Sequence, residues 1–234
     1  MGYAATARPL MYVDTSERVD YLKGVALLTG LGLTVSAITG VLSALLLAPL
    51  VTGRWSSMII ILGSYGIAHY VAPRFVFGEQ KWLGFMMGAV FQGVAMGYLL
   101  LVAFLVSMGS FGNGFLLIGQ ALGLTALTTV GMGMYLWSGP KELSLVKAGL
   151  SAAFLPMLLL MGISFVFPIG GWIGVGISAL FVVVSAAGLM YQMNVVLHEL
   201  RTDMRIEGAY MITMGVLVLF WNVLTLLLRL TSRD

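Results

Sequence analysis

The sequence predicts an all-α fold, a polytopic membrane protein with about seven transmembrane helices, and three observations carry that expectation. Of 234 residues, 60% are hydrophobic and only 9% are charged. The mean hydropathy is +1.02. The charged residues gather in short segments, and the apolar runs between them are long enough to cross a bilayer. A soluble domain carries about 25% charged residues. A chain this apolar cannot cover itself in water, so lipid must be its solvent.

The spans follow in order from where charges and turn formers interrupt the apolar runs. Residues 1–23 form a polar segment with Arg8, Asp14, Glu17, Arg18 and Asp20. Within it, Asp14 and Glu17 have capping-box spacing and mark the start of a short surface helix. The first span is expected at 24–52. It is too long for the apolar region of a signal peptide and lacks a following small-residue cleavage site, so no cleavable leader is expected. The second span, 55–73, is the shortest and ends at Pro73-Arg74. The third and fourth, 83–108 and 112–137, are separated only by Gly109–Phe111 and read as one tight hairpin. The fifth, 143–167, follows Gly139-Pro140-Lys141-Glu142. The sixth, 171–197, follows Pro168–Gly171 and pairs with the fifth in a second hairpin. The seventh, 208–230, is apolar on every face from Met211 to Leu228, as expected of a helix surrounded by neighbours or lipid. The domain expected is therefore 24–230, with a short tail at 231–234.

Orientation follows from the basic residues. With the N-terminus in the cytoplasm, nine of the twelve Lys and Arg fall inside, which favours N-in and C-out. A bacterial inner membrane is the expected location.

Thirty glycines are read as packing surface. Gly84/Gly88, Gly93/Gly97, Gly119/Gly123 and Gly170/Gly174 are each four apart, and small residues at that spacing let helices approach closely in lipid. The sixteen methionines, Met86, Met87, Met96, Met132 and Met134 among them, read as adaptable packing rather than metal ligands.

An ionisable residue inside a span usually marks function, because burying one is expensive. No Asp, Glu, Lys, Arg or His lies between Lys81 and Lys141, between Lys147 and His198, or between Glu207 and Arg229. That argues against a proton relay, an ion-coupled transporter or a hydrolase with charged catalytic groups. His69 is the exception. It reads either as a residue that titrates near physiological pH and biases packing, or as an interfacial histidine beside Tyr65 and Tyr70 near the inner headgroups. His198, next to Glu199 at the inner end of span six, reads either as a solvated residue or as one that helps cap that helix end. Uncharged polar residues are more plentiful, Gln92 among them. Tyr191, Gln192, Asn194 and Asn222 lie in the last two spans and form either a buried polar network or the lining of a narrow pore. The network is favoured, since nothing supplies a charge ring or a carbonyl filter.

Enzyme motifs are absent from the sequence: it has no H-E-x-x-H, no G-x-S-x-G and no G-K-[ST] loop. No catalytic residue, cofactor or metal ligand is therefore expected. Nucleic acid is excluded as a partner, because the basic residues sit singly rather than in a stripe. Membrane lipids and other membrane proteins are the expected partners.

The C-terminal third adds a family resemblance. Tyr191-Gln192-Met193-Asn194 closes span six, a charged linker follows, and span seven ends Asn222-Val223-Leu224-Thr225-Leu226-Leu227-Leu228-Arg229-Leu230. This resembles the Bax inhibitor motif family, with its Y-D-T-Q at the end of span six and L-D-x-x-N-x-F, then L-L-R-L, in span seven. Phe91-Gln92-Gly93 and Leu124-Thr125-Ala126 agree with its third and fourth spans. The resemblance implies six helices in hairpins around a central seventh. It also implies a pair of aspartates that senses pH and gates a calcium leak. Here Gln192 and Leu219 stand at those two positions, while Tyr191, Asn222 and Arg229 match. A neutral amide and a leucine neither titrate nor attract a divalent cation. The functional expectation is a non-catalytic accessory subunit or regulator packed against partner proteins. The alternative is a calcium leak channel of the family kind with altered gating.

Overall fold

A computed structural model describes residues 9–47, 54–106, 113–139, 142–152, 156, 160 and 170–231. Among these residues there is no β-strand, and six helices are long and apolar enough to cross a membrane. A 3-10 turn at Leu10–Tyr12 leads into α1 (Thr15–Leu47). Helix α2 (Arg54–Gly66) runs through a π turn (Ile67–Val71) into α3 (Ala72–Val76). Then come α4 (Lys81–Val106) and α5 (Asn113–Trp137). Residues 144–152 are helical and are called α6. Helix α7 (Gly171–Asn194) ends in a second π turn (Val195–Glu199), and α8 (Arg205–Thr231) closes the chain. Most of the expected fifth span, the connection at Gly109–Phe111 and the tail 232–234 lie outside the described residues.

The boundaries moved for physical reasons. The stretch expected to be a polar tail carries the first turns of α1, which starts at Thr15 with Glu17 in its first turn, where a carboxylate favours the positive helix end. It is held by packing. Leu10 and Tyr21 are buried, the Leu10 amide donates to the Leu200 carbonyl (3.0 Å), and the Tyr21 hydroxyl donates to the Met204 carbonyl (3.2 Å). Arg205 reaches Asp20 at 2.5 Å. Pro73 does not end the second span, since it sits in the first turn of α3, where its missing N–H is tolerated. Helix breakers survive in a membrane when neighbouring helices satisfy the freed backbone groups. Here the Ala72 amide bonds back to Ile67, five residues earlier. Ala68 would by the same spacing bond to residue 73, which is proline. The Tyr210 hydroxyl of α8 donates to the Ala68 carbonyl instead.

Helix α8 is the centre of the bundle. It packs against α1, α4, α5 and α7, and buries side chains from Glu207 to Leu228. The most apolar stretches of α4 and α8 are 50% buried, against 17% for α5 and α7, which leaves the latter two on the outside. The central C-terminal helix expected from the sequence is thus present. In a bilayer there is no hydrophobic drive between helices, so close contact must hold the bundle together.

The α1–α4 contact shows how. A β-carbon on Gly93 would collide with Thr39 and the Ser36 carbonyl, and one on Gly97 would lie 2.7 Å from the Gly40 carbonyl. Across the same seam, the Ser36 hydroxyl donates to the Ala89 carbonyl (2.8 Å) and Ser43 to that of Val94 (3.1 Å). Gly84 abuts the backbone of Ala72 and Val76, and Gly88 receives the Tyr210 ring. Gly119, Gly123 and Gly170 differ from expectation: nothing lies within 4 Å of a β-carbon at any of them, so they pack against no described neighbour. Four-residue spacing marks a small-residue face but not which faces are used.

Candidate functional site

Helices α2, α4, α7 and α8, the π turn after α2 and Leu150 of α6 line a partly open cavity of about 510 Å³. Gln92 on α4 and Met214 to Asn222 on α8 fall midway along those helices, and Phe181 to Gln192 straddle the middle of the span that α7 forms with its π turn (Gly171–Glu199), so the cavity sits at mid-depth of the bundle. Apolar side chains make most of its wall. Among the described residues, its polar lining includes Tyr65, His69, Tyr70, Gln92, Ser185, Gln192 and Asn222. Among the described lining residues there is no Asp, Glu, Lys or Arg.

Each polar group is positioned by its own helix. The π turn after α2 turns His69 into the bundle, where Tyr65 stacks on its ring (centroids 4.0 Å apart). His69 is half-buried, beside the aromatic neighbour expected of it, and lines the cavity. Its Nε2 lies 3.0 Å from Gln92 Oε1. Because that oxygen only accepts, Nε2 carries the proton and Nδ1 keeps a lone pair. Gln92 is fully buried on α4, so this pairing satisfies an amide oxygen that lipid would leave bare. Asn222 donates from Nδ2 to the Val218 carbonyl of its own helix (3.0 Å). Gln192 Oε1 is buried without a hydrogen bond and rests against Gly215, where a β-carbon would displace it.

Of the residues singled out from sequence, the cavity brings together Gln192, Asn222 and His69. Asn194 is buried but does not line it, and Tyr191 is half-buried beside it. Leu219 is buried in the apolar core around α8. Gln92 was visible as a polar residue in an apolar span, but its link to His69 required the fold. Among the described residues, no group of three or more His, Cys, Asp or Glu could hold a metal ion.

A second polar cluster lies at the end of the bundle where the N-terminal segment docks, and it overturns the expectation of a solvated His198. This residue is 1% exposed. It stands in the second π turn, with Nε2 3.1 Å from the Leu136 carbonyl and Nδ1 3.3 Å from the Arg18 guanidinium. A carbonyl accepts and a guanidinium donates, so the ring is neutral with its proton on Nε2. Arg18 also lies over the Trp137 ring, 5.6 Å from its centre. Nearby, Lys81 pairs with the buried Glu207 at 2.6 Å.

Fold and cavity together define a polytopic helical membrane protein built around a central C-terminal helix, with a largely apolar cavity at mid-depth whose described polar residues carry no carboxylate, ammonium or guanidinium. The family model described as "Inhibitor of apoptosis-promoting Bax1" matches residues 18–233. The chain belongs to this Bax inhibitor family. No curated protein and no solved structure gives a significant match.

Proposed function

We propose that this protein is a non-catalytic membrane regulator or accessory subunit that packs against partner proteins, and that it does not conduct calcium. The observation that carries this reading is the neutral cavity. The family pattern sets an aspartate pair at the positions of Gln192 and Leu219, and here the described residues of the cavity wall include no carboxylate. Without fixed negative charge, neutral amide and hydroxyl oxygens repay a divalent cation only in small part for the hydration it must shed. A non-catalytic role fits the side chains present. The Ser185 hydroxyl is committed to the Val182 carbonyl (2.9 Å), and the proton-bearing nitrogen of His69 to Gln92, so no nucleophile is paired with a base. The proposed setting is a bacterial inner membrane, N-terminus inside, as the basic residues favour.

The test is gentle detergent extraction from native membranes, followed by native electrophoresis and mass spectrometry of the band. Migration in a larger assembly with fixed partners is the expected result. A chain that migrates alone, and whose vesicles pass calcium, overturns it. The second reading, a leak with altered gating, is favoured by one observation: Gln192, Asn222 and His69 share a single cavity at mid-depth. Calcium flux in reconstituted vesicles that Asn222→Leu abolishes is its signature.

A further inference from the structure

The cavity wall contains hydrogen-bonding groups that the protein itself does not use. Once His69 Nε2 has donated to Gln92 Oε1, His69 Nδ1 is left as an acceptor and the Gln92 amide nitrogen as a donor, and neither has a partner among the described residues. The two belong to one contacting pair, whose geometry is fixed by the Tyr65 stack. Gln192 Oε1 is a further unused acceptor, buried against Gly215 rather than open to the cavity. In lipid such groups find no water, and leaving them unmade is costly. Around them the wall is apolar, from Leu62 and Phe181 to Val218 and Trp221. The volume is within the range of about 300–1,000 Å³ that small-molecule sites occupy.

These features select a ligand class. An ion is disfavoured because no lining residue carries an opposite charge. A sugar-like polar solute would bury many groups against aliphatic wall. A pure hydrocarbon would leave the amide and the imidazole unmatched. A hydroxyl both donates and accepts, so it can give its proton to His69 Nδ1 or take one from the Gln92 amide; a single hydroxyl does one or the other, because Nδ1 and the amide stand on opposite sides of the Nε2–Oε1 hydrogen bond. We propose that the cavity binds an uncharged alcohol, an apolar body with one hydroxyl head set against the His69–Gln92 pair, and that this occupancy is what the regulator senses. The last clause rests on the function proposed above; the binding itself does not.

The experiment is photolabelling of the full chain in lipid nanodiscs with 3-azioctanol, with adducts mapped by mass spectrometry. Adducts are expected on cavity residues such as Tyr65, His69 and Trp221. Excess octan-1-ol should suppress them, while octane and octanoate should not. In the double variant His69→Phe/Gln92→Leu, labelling of these peptides should fall about tenfold, the equivalent of losing roughly one hydrogen bond. Replacing both partners by apolar groups of similar shape is nearly neutral for stability, so its thermal midpoint should stay near that of the wild type. Val218→Phe narrows the cavity from a different helix without touching the head group, and must also lower labelling. The proposal is overturned if adducts spread over exposed residues such as Leu127 and Val183, if octane competes as well as octanol, or if both variants label like the wild type. None of these readouts depends on partner copurification or calcium flux, so this proposal and the functional one can fail separately.

Discussion

The Tyr210 hydroxyl donates to the Ala68 carbonyl, the backbone group that Pro73 deprives of its donor in the π turn before α3. One side chain of the central helix thus repairs the break in the second span and lets a proline stand inside it. Removing the hydroxyl with Tyr210→Phe leaves that carbonyl buried and bare. The expected cost is about 1 kcal/mol, in the range found for interhelical hydrogen bonds in membranes. Pro73→Ala supplies an amide at the position Ala68 lacks, so the same Tyr210→Phe change should cost much less in that background. A double-mutant cycle read by denaturant unfolding in detergent micelles checks this. Equal costs in both backgrounds would refute the coupling.

Glu207 is buried in the first turn of α8, and its charge is balanced by Lys81 at the start of α4. Lys81→Met removes the balance but leaves the carboxylate in place. A buried pair broken from one side is strongly destabilising, and with Lys81 partly exposed the loss should be about 3 kcal/mol. Adding Glu207→Gln should recover most of it, because the amide carries no charge to strand. Thermal midpoints of the two variants decide the matter, and a double variant no better than Lys81→Met would show that the pair matters for its shape rather than its charge.

How much of this was legible in the sequence depends on the range of the interaction. Apolar runs and charge breaks located six spans to within a few residues, except at the first, because hydropathy is a local property. Asp20 and Arg205 look like tail and linker charges until the fold sets them 2.5 Å apart. The start of α1 at Thr15 has a local signal in the capping-box spacing of Asp14 and Glu17, but the long-range contacts that dock its first turns on the bundle, and its unbroken run into the first span, leave none. Of the site, Gln192, Asn222 and His69 stood out as polar residues in apolar spans. That they share one cavity with Gln92 was not readable, since hydropathy does not report helix rotation. His198 was misread because a charged neighbour, Glu199, suggests solvent, whereas its partners Arg18 and Leu136 lie far away in the chain.

The glycine pairs separate in the same way and yield a paired prediction. Gly93→Val should push α1 off α4, because the new side chain meets Thr39 and the Ser36 carbonyl, and backbone cannot move aside cheaply. A loss of about 2–3 kcal/mol is expected, as for other overpacked contacts. Gly119→Ala meets nothing within 4 Å, and should be neutral or gain up to about 1 kcal/mol from helix propensity. A destabilised Gly119→Ala would show that this face of α5 is covered, and would name the interface that the proposed partner uses.

The last prediction concerns the Arg18–His198–Leu136 cluster, which ties three helices at one end of the bundle. Arg18 belongs to the first turns of α1, His198 to the π turn after α7, and Leu136 to the end of α5. The imidazole can serve both neighbours only as the neutral ring protonated on Nε2, because the carbonyl needs a donor and the guanidinium an acceptor. Phenylalanine keeps the bulk but supplies neither. His198→Phe therefore leaves the Leu136 carbonyl without its ring donor and removes an acceptor from Arg18, for a loss of about 2 kcal/mol. The consequence should be local. Arg18 anchors the segment whose Leu10 amide and Tyr21 hydroxyl bond to residues 200 and 204, so amide exchange across residues 10–22 and 198–204 should speed up about tenfold or more, while that of α4 stays as it was. Glutamine at 198 offers one acceptor and two donors on a comparable reach, so His198→Gln should restore part of the protection. Uniform acceleration through α4, or equal behaviour of the two variants, would mean that His198 acts by filling space rather than by holding Arg18.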